Sequence, residues 1–233
     1  EYNVIEATDG TRAWEILQSE SPDLILSDVV MPGLSGYELC ARVKQHPDLS
    51  HIPVILLTAK TSMPEQIEGL THGADAYVCK PFNVEYLLLL IGNQFRNRSK
   101  LRSYYFSARS KTGREEPPVK LNAFDRKFMD KLMELLEKSL SDMELNIDEI
   151  ASEMAFSRTS FYRKLKGLTN MAPADFIRAY RLRRAAEMIE EGSWNLYEVA
   201  ENVGFSNYTH FSVIFKKHFG VSPKDYRNRG HHE

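Results

Sequence analysis

Asp23-Leu24-Ile25-Leu26-Ser27-Asp28-Val29-Val30-Met31-Pro32-Gly33 is an apolar run of strand length that delivers a carboxylate at its C-terminal edge. The Met-Pro-Gly that follows must turn the chain there. In open α/β sheets this edge is where the chemistry sits. Taken alone, a buried strand whose final Asp caps the next turn explains the stretch equally well. Two later runs change the balance. Ile52-Pro53-Val54-Ile55-Leu56-Leu57-Thr58 ends in a hydroxyl followed by Ala59, and Ala76-Tyr77-Val78-Cys79-Lys80-Pro81-Phe82 ends in an amine. A carboxylate, a hydroxyl and an ammonium at one edge of a parallel sheet form a site for a phosphoryl group.

Helical patterns alternate with these strands. Asp9-Gly10 opens an amphipathic helix near 11–20, and Ser35-Gly36 opens another through Tyr37, Leu39, Cys40 and Val43. Pro64 lies in the first turn of a helix that Gly73 ends, and Asn83 caps one running through Leu87, Leu90 and Phe95. Strand and helix in alternation predict an α/β doubly wound parallel sheet. The 233 residues suffice for two domains. Their charge is uneven: residues 1–100 carry 8 Lys and Arg against 13 Asp and Glu, whereas residues 157–184 carry 8 against Asp175 alone. Cys40 and Cys79 lack metal-ligand spacing and read as reduced thiols of a cytoplasmic protein. Leu87–Ile91, the densest apolar run, is far shorter than the ~20 residues that span a bilayer.

Asp28 with Met31-Pro32-Gly33, Thr58-Ala59 and Lys80-Pro81-Phe82 resemble the receiver domain of two-component response regulators over residues 1–98. The resemblance implies a flavodoxin-like fold in which Asp28 accepts a phosphoryl group from a histidine kinase. It also implies that Thr58 and Lys80 bind the phosphoryl oxygens, that Tyr77 changes rotamer, and that Lys80-Pro81 is cis. Such chemistry asks mainly for positioning and charge neutralisation. By the same resemblance Glu1–Ala7 is the second strand of the family's sheet, so the first strand and helix, with the acidic pair that holds Mg²⁺, are missing. Asp28 and the Val30 carbonyl are then the metal ligands left, and weak or absent Mg²⁺ binding is expected.

Residues 99–120, rich in Arg, Lys and Ser and ending in Glu115-Glu116-Pro117-Pro118, read as a linker. Residues 121–233 form a second domain, opening with a helix near 122–139 through Phe124, Phe128, Leu132, Leu135 and Leu136. An internal repeat follows. Asn146-Ile147-Asp148-Glu149-Ile150-Ala151 through Phe156-Ser157 is answered 49 residues later by Asn195-Leu196-Tyr197-Glu198-Val199-Ala200 through Phe205-Ser206. After one inserted residue the offset is 50, and Pro173-Ala174-Asp175-Phe176 aligns with Pro223-Lys224-Asp225-Tyr226. Each copy opens with an Asn-x-x-Glu capping box, turns at Ala155 or Gly204, and continues in a second helix. That is helix-turn-helix organisation, and it makes this half an all-α domain.

Two such units joined by a helix near 173–191 resemble the AraC/XylS-type DNA-binding domain. The resemblance rests on Gly204-Phe205-Ser206, Phe211, Phe215-Lys216-Lys217, Phe219-Gly220-Val221-Ser222-Pro223 and Tyr226-Arg227. A connecting helix of about 19 residues spans ~28 Å, close to the ~34 Å of one DNA turn, so both reading helices reach one side of a duplex. The first would present Arg158, Thr159, Tyr162 and Arg163, and the second Asn207, Tyr208, Thr209, Ser212 and Val213. Arg163 is the foremost base reader, since a guanidinium bonds guanine O6 and N7 together. Lys164, Lys166, Lys216 and Lys217 are expected on phosphates, and Arg181, Arg183 and Arg184 either join them or pair with Glu187, Glu190 and Glu191.

Together the resemblances imply a DNA-binding transcription regulator, not an enzyme, phosphorylated by a histidine kinase and dimerising when phosphorylated. The domain order is similar to the C-terminal end of hybrid two-component regulators, placing the segment in the cytoplasm without membrane contact. Two rivals remain: a phosphorylation-incompetent receiver serving only dimerisation or protein contact, and a hydrolase using Asp28 as nucleophile. The hydrolase lacks a second acid/base group and leaves the basic half unexplained.

Overall fold

The computed structural model describes residues 2–59, 73–106 and 121–229. It divides into two compact units, one built on the first hundred residues and one on Lys127–Lys166 and the residues from Met171 onward.

The first unit contains α1 (Gly10–Ser19), β1 (Ile25–Asp28), α2 (Gly36–Gln45), β2 (Val54–Thr58), β3 (Ala76–Cys79) and α3 (Val84–Phe106), the last turn of which falls in the second unit. The described strands form one parallel sheet in the order β1-β2-β3, with Asp28 opposite Leu57 and Thr58 opposite Cys79. Side chains alternate across a strand. Val54 and Leu56 therefore enter a core with Leu17 of α1 and Leu39, Cys40 and Val43 of α2. Ile55 enters the opposite core with Val78 and Leu87 of α3. A strand covered on both faces reads as a continuous apolar run, which is how β2 reads. Burial pushes the Cys40 thiol up to about 11, so it stays neutral.

The helix starts are chemically fixed. Asp9 accepts from the Arg12 N–H, and Asn83 accepts from Glu85 and Tyr86. Ser35 and Glu38 make a reciprocal capping box, and the Ser35 hydrogen bonds hold the Glu38 carboxyl below its usual range. Two expectations are corrected. Residues 2–7 are exposed and form no strand, because a lone extended segment has no neighbour to take its backbone hydrogen bonds. The helix expected over 83–96 continues to Phe106, with Leu101 and Tyr105 buried at helical spacing. The predicted helix at 64–72 and residues 107–120 of the predicted linker lie outside the described residues.

The second unit is all helical: α4 (Ala123–Lys138, its first turn grouped with the first unit), α5 (Ile147–Glu153), α6 (Arg158–Thr169, its last three residues grouped with the first unit), α7 (Pro173–Glu191), α8 (Leu196–Asn202), α9 (Tyr208–Phe219) and α10 (Pro223–Arg229). In the first copy of the repeat Phe161 is fully buried, its ring 5.7 Å from that of Phe128 on α4. In the second, Val199, Val203, Phe211 and Phe215 pack with Leu182, Ala185 and Ile189 of α7. Phe124 departs from the apolar pattern expected of α4 and is exposed. The second copy has the full capping box, Asn195 with Glu198. The first has the Asn146 side chain accepting from the Glu149 N–H.

Both copies turn through the left-handed region, at Ala155 (φ 61°) and Gly204 (φ 78°). A Cβ on Gly204 would stand 2.7 Å from the Arg181 guanidinium carbon and 2.8 Å from the Leu140 carbonyl oxygen. Backbone strain and overpacking thus coincide, and we expect Gly204→Ala to cost roughly 2–4 kcal/mol, read as a lowered denaturation midpoint. Ala155→Gly relieves strain without opening a cavity and should be neutral or gain about 0.5–1 kcal/mol.

Candidate phosphoacceptor site and nucleic-acid interface

The sheet brings together the residues expected to act together. Asp28 ends β1, Thr58 ends β2, and Lys80 follows β3, its N–H donating to the Thr58 carbonyl at 2.7 Å. Lys80 Nζ lies 2.6 Å from Asp28 Oδ1, with 41% and 44% of the two side chains exposed. An ion pair so open to water contributes only ~0–1 kcal/mol. The ammonium can therefore leave the carboxylate for another anion at little cost. Thr58 is buried beneath this edge, and the Lys80–Pro81 peptide is cis. Gly36 shapes the site from below: its N–H donates to the Val29 carbonyl, and a Cβ there would lie 2.2 Å from the Asp28 carbonyl oxygen. Tyr77, within β3, is half-buried with its ring 6.5 Å from that of Tyr37.

Magnesium asks for six oxygens in near-octahedral array, usually with more than one carboxylate. Among the described residues no group of three or more His, Cys, Asp or Glu is placed to hold a metal. Asp28 stands as one carboxylate already paired with Lys80, and Val30 offers only its backbone carbonyl. These residues do not fit a Mg²⁺ site. Isothermal titration of this chain is expected to show no sub-millimolar Mg²⁺ binding.

In the second unit the reading helices begin at equivalent places. Ser157 Oγ accepts from the Ser160 N–H ahead of α6, and Asn207 Oδ1 accepts from the His210 N–H ahead of α9. Aligned on these caps, Arg158, Thr159, Tyr162 and Arg163 correspond to Tyr208, Thr209, Ser212 and Val213. On α6, Arg158, Thr159, Tyr162 and Arg163 are all exposed, and Lys166 Nζ lies 5.9 Å from the Tyr162 ring centre. On α9, Thr209 and Val213 are exposed and Tyr208 and Ser212 are half-buried. Lys216 and Lys217 are exposed near its end, as a phosphate contact requires.

One expectation is revised. Lys164 is 1% exposed, with its ammonium 5.5 Å from the Phe128 ring centre, so it belongs to the core and not to a phosphate-facing surface. Asn207 is exposed, and its side-chain oxygen accepts from the His210 N–H at the helix cap. Of the linker-helix cations, Arg181 donates to the Gly204 and Asp142 carbonyls, Arg184 pairs with Glu137 and Glu187, and Arg183 lies 3.8 Å from Glu187. Of the two alternatives read from the sequence, pairing with Glu187 is the one seen for Arg183 and Arg184. The sequence reading passed over Asp148 and Tyr197, each of which touches the first residue of its reading helix. The repeat alignment carried that signal, since both occupy the same place in their copies.

A phosphoryl-type strand edge followed by a duplicated helix-turn-helix defines the class of protein. The chain carries a response regulator receiver domain at residues 1–91 and a helix-turn-helix domain, of AraC type, at residues 132–229. It is 36% identical over 229 residues to histidine kinase P4 of Formosa agariphila, covering 98% of this chain but only 16% of that protein. It is 24% identical over 228 residues to the transcriptional regulatory protein HptR of Staphylococcus aureus, covering 97% of this chain and 87% of that one. Among solved structures, the C-terminal domain of AraT, a response regulator from Geobacillus stearothermophilus, aligns over 44% of this chain and 84% of its own at 26% identity and a TM-score of 0.41. The two domains together support a DNA-binding response regulator of a two-component system. Among the described residues no helix is long and apolar enough to cross a membrane.

Proposed function

We propose that this chain is a sequence-specific transcription regulator controlled by phosphorylation of Asp28. The observation that carries the proposal is the 2.6 Å approach of Lys80 Nζ to Asp28 Oδ1 at a strand edge that also bears Thr58. A carboxylate oxygen of Asp28 would form the new bond to phosphorus as the bond from phosphorus to the donor histidine of a kinase breaks. Lys80 would then leave the carboxylate and, with the Thr58 hydroxyl, bind the phosphoryl oxygens. Tyr77 would follow, and the face formed by β3 and the first half of α3 would become a dimer surface. Val84, Tyr86, Leu88 and Leu89 are exposed along that helix.

Dimerisation would bring four reading helices to one duplex and raise affinity through effective concentration. Arg158, Thr159, Tyr162, Arg163, Tyr208, Thr209 and Ser212 would face base edges, with Lys166, Lys216 and Lys217 on phosphates. Selection of bound duplexes from a random pool, with and without a phosphodonor, tests this. A single enriched sequence bound more tightly after phosphodonor treatment is the expected result. A second reading is that the receiver takes no phosphate and serves only as a contact module. Mass measurement after treatment with a small acyl phosphate separates the two, since a phosphoryl gain at Asp28 is expected for the first and none for the second.

A further inference from the structure

The two helix-turn-helix copies hold the front of their reading helices by different chemistry at the same position. In the first, the second residue of α5, Asp148, pairs with the first residue of α6, Arg158, at 2.8 Å, with 60% and 68% of the two side chains exposed. In the second, the second residue of α8, Tyr197, lies against the first residue of α9, Tyr208, with ring centroids 4.4 Å apart and 33° between planes. Tyr197 is 66% exposed. Tyr208 also lies 6.1 Å from Phe211 of the core, so its ring has both a buried phenylalanine and an exposed tyrosine as neighbours. Further along the face Arg163 has Val213, 64% exposed, as its counterpart. The first copy therefore presents two guanidinium groups, and the second presents Tyr208, Thr209, Ser212 and Val213, with no charge.

Guanidinium groups suit guanine, whereas an uncharged face with exposed apolar atoms suits the thymine methyl. Resting on the proposal that this domain reads DNA, we infer that the second copy selects a half-site by its thymine methyl groups and that Tyr197 is the positioning residue that holds Tyr208 against them. An exposed ion pair is readily surrendered to a phosphate, whereas two packed rings keep their place when the duplex arrives. The two half-sites are therefore of different chemical character, one carrying G·C and the other A·T pairs.

The test uses the whole chain and duplexes selected from a random pool. The wild type is expected to enrich two half-sites about one helical turn apart, with thymine preferred in the one that faces α9. Tyr197→Ala should bind that duplex about threefold to tenfold more weakly and lose preference in this half-site alone, while Tyr197→Phe keeps both. Replacing thymine by deoxyuridine there removes only the methyl, and should weaken the wild type but not Tyr197→Ala. Thermal unfolding of each variant checks that folding is intact. Unchanged affinity and preference in Tyr197→Ala, an even loss over both half-sites, or guanine enriched opposite α9 would each overturn the inference while leaving DNA reading in place. A wild type that enriches no sequence overturns the DNA reading itself.

Discussion

Exchange of Asp28 for asparagine is expected to abolish phosphoryl uptake from a small acyl phosphate, with the fold unchanged. The amide has the shape of the carboxylate and keeps an oxygen to accept from Lys80 Nζ, now 2.6 Å from Asp28 Oδ1. What it lacks is the anionic oxygen that must bond to phosphorus. Since the lost ion pair is two-fifths exposed on both sides, unfolding midpoints should move by no more than the ~0–1 kcal/mol of a surface pair. Lys80→Met is the companion change: the nucleophile is intact but the developing charge is unneutralised, so uptake should slow by roughly a hundredfold or more. Intact-mass measurement of the ~80 Da gain, with peptide mapping to Asp28, reads both. Uptake by Asp28→Asn at the wild-type level would show that the acceptor lies elsewhere.

The second large effect is expected at Arg163. Its replacement by alanine should weaken binding to the selected duplex by about tenfold to a hundredfold, corresponding to ~1–3 kcal/mol for a bidentate contact to guanine. Discrimination should vanish at one base pair of the half-site facing α6, where Arg163 stands exposed one residue after Tyr162. The contrast is Lys216→Ala, which should weaken all sequences alike and lower the salt dependence by about one counterion. If Arg163→Ala instead behaves like Lys216→Ala, the guanidinium clamps a phosphate and reads nothing.

Much of this was legible in the sequence because local chemistry and tertiary packing agree. The connecting helix was read near 173–191, and it runs Pro173–Glu191 with the proline in its first turn. The three strand-end residues were legible because a parallel sheet places successive C-termini at one edge. Where the reading failed, the deciding interaction was distant in sequence. Residues 2–7 have strand composition, but a strand exists only with a partner. The stretch Asn97–Phe106 looks like a tether because Arg, Lys and Ser dominate it, yet Arg and Lys are good helix formers. Its burial pattern, Leu101 then Tyr105, is a helical spacing hidden among charges. Lys164 shows the limit of residue-type reasoning: a lysine beside Arg163 looks solvated, but it is buried with its ammonium 5.5 Å from the Phe128 ring centre.

Ala155 and Gly204 bear differently on how this duplicated gene can drift. Beside Gly204 the space that a side chain would need is filled by the guanidinium of Arg181, which itself donates to the Gly204 carbonyl. Any mutation at that codon must displace a cation from its seat, and the arginine cannot change freely while the glycine stands. Ala155 already tolerates a Cβ at φ 61°, so its codon can alternate between alanine and glycine at small cost. Descendants of this chain should therefore vary at the first turn and keep the second together with its arginine, as a pair inherited jointly.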